Sequence, residues 1–130
     1  MSVLSSSLPS LRLVMLIMDD DDLRAMTALA LEFAGFRVLA AASSGEAQKY
    51  TLATRPHVVV ADLRRSGPDD WAFLRHLLGD SGRPASRLVF VTNTTGAVPS
   101  SLRSHCASVV IRPVDPAVLV QIALEVTASG

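Results

Sequence analysis

The sequence predicts an α/β domain built on a five-stranded parallel sheet with helices on both faces. Two observations carry that prediction. The apolar runs at Leu13 to Ile17, Val58 to Ala61 and Leu88 to Val91 are continuous rather than alternating, as expected of strands buried on both faces. Segments of helical recurrence separate the runs, so strand and helix alternate five times, and right-handed crossovers join such a pattern into one parallel sheet. At 130 residues the chain holds one core and has no room for a second folded module.

Taken in order, residues 1–11 are serine-rich and lack a period, and are expected to form a mobile leader to a domain spanning 12–127, with 128–130 as a tail. The first strand ends in four contiguous aspartates, Asp19 to Asp22, which open a helix in which Leu23, Met26, Ala30 and Phe33 recur at helical spacing until Gly35 stops it. Phe36 to Ala41 form the second strand. Ser43 with Glu46 three residues on makes a capping box for a helix running to about Thr54, ended by Arg55-Pro56. The third strand terminates at Asp62, a turn follows from Arg64 to Asp70, and Trp71, Leu74, Leu77 and Leu78 mark the buried side of the third helix. The fourth strand ends at Thr92. After a loop and a short helix around Ser100 to His105, the fifth strand covers Ser108 to Ile111. Asp115 as N-cap and Pro116 at the first helical position then open the last helix, with Leu119, Ile122, Ala123 and Val126 on one face.

Composition narrows function. Twelve basic and twelve acidic residues cancel, so bulk electrostatics favours neither nucleic acid nor an anionic membrane. The longest apolar run, Leu13 to Met18, is far short of a bilayer span, and no basic n-region precedes it, so a cytoplasmic protein without a signal peptide is expected. The single cysteine, Cys106, forms no internal disulfide and reads as a packing residue. His57, His76 and His105 share no metal-ligand spacing.

Ligands of open parallel sheets bind beyond the carboxyl ends of the strands. Asp19 and Asp20, Asp62, Thr92 and Arg112-Pro113 all stand there. Carboxylates and a main-chain carbonyl suit a hard cation such as Mg²⁺, and a carboxylate beside a metal, a hydroxyl and a cation can act as a nucleophile toward phosphorus.

On these landmarks the chain resembles the receiver domain of bacterial two-component response regulators, from Arg12 to about Val126. The matching features are the acidic cluster after the first strand, Val58-Val59-Val60-Ala61-Asp62, Val89-Phe90-Val91-Thr92, and Arg112-Pro113. The resemblance implies a flavodoxin-like (βα)5 fold of strand order 2-1-3-4-5. It also implies that Asp62 is a phosphoacceptor served by a histidine kinase or phosphotransfer protein, with Thr92 and Arg112 beside the phosphoryl group. Mg²⁺ would be held by Asp19, Asp20, Asp62 and the carbonyl of Arg64. Such a domain is no enzyme in the turnover sense; it signals by protein contact through the fourth helix, fifth strand and fifth helix, to a downstream protein or a fused output domain, and the fourth and fifth helices could pair two copies.

The departures are specific. Matching the first helix without a gap, on Leu23, Arg24 and Gly35, puts the two metal-site acids at Met18 and Asp19, which weakens or removes the metal. Deleting one loop residue restores Asp19 and Asp20. The ungapped match is preferred. Arg112 stands where the family has lysine, and its planar fork cannot make the same point contact; with Lys49 in the second helix, no lysine serves the site. Ser66 replaces a usual proline, Asp70 a usual glycine, and Val109 a usual aromatic residue.

Plainer readings compete. Any one of Asp19 to Asp22 can simply cap the helix, Asp69 and Asp70 read as caps, and Arg112 can form a permanent ion pair with Asp62 or Asp19. Three alternatives to a phosphorylated receiver follow: a pseudo-receiver that binds partners without phosphorylation, a haloacid-dehalogenase-like phosphatase suggested by Asp-x-Asp after an apolar strand, and a flavodoxin. The phosphatase lacks a later lysine and the residue expected at Leu23; the four aspartates would repel a flavin phosphate.

Overall fold

In the computed structural model the described residues are 12–51, 55–64, 67–77, 86–93, 99–103 and 106–128. Among these residues ten elements alternate: β1 Leu13–Met18, α1 Asp21–Phe33, β2 Arg37–Ala41, α2 Ser44–Thr51, β3 Val58–Asp62, α3 Pro68–Leu77, β4 Arg87–Thr92, α4 Ser100–Arg103, β5 Cys106–Ile111 and α5 Pro116–Ala128. All strand pairs are parallel, in the order β2-β1-β3-β4-β5. This is the predicted doubly wound architecture, and the reversal of strand order lies between β1 and β3. The leader 1–11 and the ends placed at Thr54, Leu78 and His105 lie outside the described residues.

Both faces of the sheet are buried, which is why its strands read as unbroken apolar runs. Along β1, Met15 and Ile17 pack with Val59, Phe73, Leu74 and Phe90 on the α2–α3 side. Val14, Leu16 and Met18 pack with Leu31, Leu119 and Ala123 on the α1–α5 side. Trp71 lies against Phe90, with ring centroids 5.4 Å apart.

Local signals explain the helix ends. Asp20 is the N-cap of α1, its Oδ1 accepting the Leu23 N–H at 2.9 Å. Gly35 leaves the helix at φ 101°, a left-handed conformation that glycine adopts at little cost. Half of the box at α2 forms, the Glu46 N–H donating to Ser43 Oγ at 3.1 Å, while Glu46 Oε1 accepts the Ala42 N–H one residue before the cap at 2.8 Å. Asp115 Oδ1 accepts the Ala117 N–H at 2.8 Å.

Two expectations change. The recurrence of Leu23, Met26, Ala30 and Phe33 does not coincide with the buried side of α1: Thr27 and Leu31 are fully buried and Leu23 packs beside them, whereas Met26 is 59% and Phe33 85% exposed. A small polar residue sits inward because α1 lies close against its neighbours, and periodicity counted on the largest side chains misses it. Strands β4 and β5 begin at Arg87 and Cys106, ahead of the expected Leu88 and Ser108, because the ladder continues upstream through the Val58–Arg87 and Leu88–Cys106 pairs, the latter across a register shift.

Candidate functional site at the carboxyl edge

The ends of β3, β4 and β5 bring together three of the expected residues. Asp62 closes β3 and is buried at 2% exposure. Its Oδ1 accepts the Arg112 Nε–H at 2.9 Å and also a hydrogen bond from Arg112 Nη2. Arg112 Nη1 donates to Asn93 Oδ1 at 3.1 Å, and the Arg112 main-chain N–H donates to the Thr92 carbonyl at 2.8 Å. Thr92 is buried at the end of β4. A planar fork with several donors makes this possible where an ammonium would supply a single point of charge. Asn93 was absent from the expected set; its position directly after Thr92, on the ligand edge, is the signal that marks it.

The acidic run is divided among several tasks. Asp19 Oδ2 accepts the Arg64 N–H at 2.8 Å, tying the β1–α1 junction to the chain leaving β3. Asp20 caps α1, and its Oδ2 lies 3.6 Å from Arg64 Nη2. Asp21 pairs with Arg24 Nη2 at 2.7 Å, and Arg24 Nη1 donates to the Met18 carbonyl at 2.9 Å. Met18 is the residue of β1 registered directly opposite Asp62, and it is fully buried. A thioether in the apolar core therefore stands beside the buried carboxylate, with Asp20 held in the helix cap, which is the arrangement of the ungapped match.

Two members of the expected cation set have other partners. The neighbour of Asp62 across the ladder is Met18, Asp20 is committed to its cap, and Asp62 Oδ1 carries a guanidinium. Among the described residues no group of three or more His, Cys, Asp or Glu is arranged to hold a metal ion. Mg²⁺ held by Asp19, Asp20, Asp62 and the Arg64 carbonyl stays what the resemblance implies; in this arrangement Asp20 serves its cap and Asp62 its ion pair.

A cavity of about 370 Å³ opens above the pair, lined by Leu23, Asp62, Arg64, Asn93, Arg112 and Pro113. A larger groove of about 810 Å³ runs between α2 and α3 along Ser44, Gln48, Asp69, Phe73 and His76. At its upper end Asp70, expected as a cap, accepts the Gly67 N–H at 2.8 Å and a hydrogen bond from Ser44 Oγ, so it joins α3 to α2 as well. His57 is exposed, yet its Nδ1 accepts the Leu13 N–H at 3.0 Å at the opposite edge of the sheet.

No family model and no curated protein matches the sequence. Solved structures do match in fold. A CheY-like response regulator receiver domain from Methylobacillus flagellatus is 18% identical, with a TM-score of 0.73 over 89% of this chain and 98% of that one. A CheY-like receiver domain protein from Methanospirillum hungatei is 21% identical, with a TM-score of 0.71 over 92% and 99%. The receiver domain of a signal transduction histidine kinase from Syntrophus aciditrophicus is 18% identical, with a TM-score of 0.72 over 91% of each chain. The fold is that of CheY-like response regulator receiver domains. Among the described residues no helix is long and apolar enough to cross a membrane.

Proposed function

We propose that this chain is a signal receiver that acts through protein contact and is held in one charge state by the Asp62–Arg112 pair, without taking up phosphate. The fold supports the receiver role. The observation that carries the finer reading is the buried ion pair beside Met18. The guanidinium already supplies the compensating charge that a metal and a cationic side chain would otherwise bring to Asp62, and the strand-end position across from it offers no oxygen donor. The partners are signalling proteins: a histidine kinase, a phosphotransfer protein or an output domain. They would read the face formed by α4, β5 and α5, which adjoins the pair through Arg112.

A second reading has its own support. Asp62 is a buried carboxylate closing an apolar strand beside a cavity, with Thr92 at the next strand end, the placement that the resemblance assigns to a phosphoacceptor. Beryllofluoride with Mg²⁺, followed by Trp71 fluorescence, separates the two. Trp71 is half-buried against Phe90 and opens onto the same edge. The expected result is no response in the wild type and no mass increase with a small-molecule phosphodonor. A response or a phosphoryl adduct that Asp62→Asn abolishes would replace the proposal with the phosphorylated receiver.

A further inference from the structure

The neutral total charge conceals a separation of charge along the strand direction. All strands of a parallel sheet start on one edge, and here Arg12 precedes β1, Arg37 opens β2, His57 precedes β3 and Arg87 opens β4. Main-chain bonds hold these positions in a row: the Arg37 N–H donates to the Arg12 carbonyl at 2.8 Å, and the Arg87 N–H to the His57 carbonyl at 2.9 Å. With strands about 4.8 Å apart, four basic side chains leave a strip roughly 15 Å wide. Arg37, His57 and Arg87 are exposed. Helices that follow parallel strands end on this edge, which brings Phe33, 85% exposed in the last turn of α1, and the exposed Tyr50 of α2 to the same side. Arginine with aromatic side chains is the composition of contact hot spots.

The opposite edge is acidic on balance, its carboxylates outnumbering Arg24, which pairs with Asp21, and the exposed Arg64. Asp21 and Asp22 in the first turn of α1, Asp69 in that of α3 and Asp115 ahead of α5 are all exposed. A chain without net charge exerts no overall pull on a polyanion. It does carry, at its other end, a surface of opposite charge to its own basic edge. We propose that the amino edge is a docking surface for the acidic carboxyl edge of a second copy of this chain, head to tail. The contact is heterologous, so it extends by addition and does not close at a dimer. It would cover the Asp62–Arg112 cavity of every copy but the last. Exposed charge pairs are individually weak, so the association is modest and sensitive to salt.

Sedimentation velocity of the whole chain over rising concentration, in about 20 mM and about 500 mM NaCl, tests this. The expected sedimentation coefficient climbs without a plateau at low salt and stays monomeric at high salt. Arg37→Glu/Arg87→Glu and Asp22→Lys/Asp69→Lys should each be monomeric alone and associate when mixed, with far-UV circular dichroism showing both folded. Phe33→Ser, at a position too exposed to matter for folding, should weaken association independently. A wild type that stays monomeric at low salt overturns the proposal. So does association that both charge variants retain, which would place the contact elsewhere, as on α4 and α5. Binding of a labelled oligonucleotide by a monomeric wild type, lost in Arg37→Glu/Arg87→Glu, would make the edge a polyanion site instead.

Discussion

Arg112, directly after β5, reaches past the end of β4 to place two donors, Nε and Nη2, on one oxygen of the buried Asp62. Asp62 and Arg112 side chains are 3% and 14% exposed, so each is the main compensation for the other's charge. Removing one partner of a buried pair leaves an uncompensated charge and costs about 3–5 kcal/mol, whereas replacing both with apolar residues of similar size is close to neutral. Arg112→Met should therefore lower stability by about 3 kcal/mol. Asp62→Leu/Arg112→Met should recover most of that loss, giving a large coupling in a double-mutant cycle measured by urea unfolding.

Asp20→Ala is expected to cost about 1 kcal/mol through loss of the α1 cap, and Asp20→Asn almost nothing, because asparagine caps equally well. Thermal unfolding of the two variants distinguishes a cap from a carboxylate needed for its charge, which would suffer in both.

Met18→Asp puts an acid beside Asp62 in a fully buried position. Burial without a cation raises the folded-state carboxyl above its unfolded range, so the variant loses least stability in acid and progressively more as pH rises through the carboxylate range. Mg²⁺ should bind the variant and offset that loss at neutral pH. Calorimetric titration of wild type and variant checks both halves; equal Mg²⁺ binding by the two would mean that Met18 does not decide the site.

Thr27 Oγ1 is buried without a hydrogen-bond partner in the inner face of α1. Thr27→Val removes the uncompensated hydroxyl at nearly constant shape and is expected to stabilise the fold by about 1 kcal/mol. A lower urea midpoint in this variant would show that the hydroxyl finds a partner in solution.

The fold was legible because burial on both sheet faces leaves an unambiguous mark: continuous apolar runs such as Val58 to Ala61, each closed by a polar residue at the ligand edge. The alternation of elements followed from punctuation by Gly35, Ser43 and Asp115, whose conformational and capping roles are local. The site was legible only in part. Four equivalent aspartates carry no mark of which one faces the pocket; that depends on where β1 stops pairing with β3, a register set by tertiary contact. The pairing of Met18 with Asp62 and the capping by Asp20 resolve it. The packing face of α1 was not legible from helical spacing alone, since Phe33 in its last turn is 85% exposed and the small Thr27 is fully buried. The Ser44–Asp70 bond joins residues 26 positions apart, and nothing local announces it.

The Arg112 fork also has a mechanical meaning. Among the described residues β5 is an edge strand that pairs with β4, and α5 is the next element. A pull on α5 that peels it away next loads Arg112, whose main-chain bond to Thr92 is the terminal link to β4 and whose side chain shares the load with Asn93 after β4 and Asp62 on β3. The sheet thus resists unzipping from its carboxyl end with a clasp three strands wide, and tension arriving through α5 is carried to the centre of the sheet at the residue pair that defines the site.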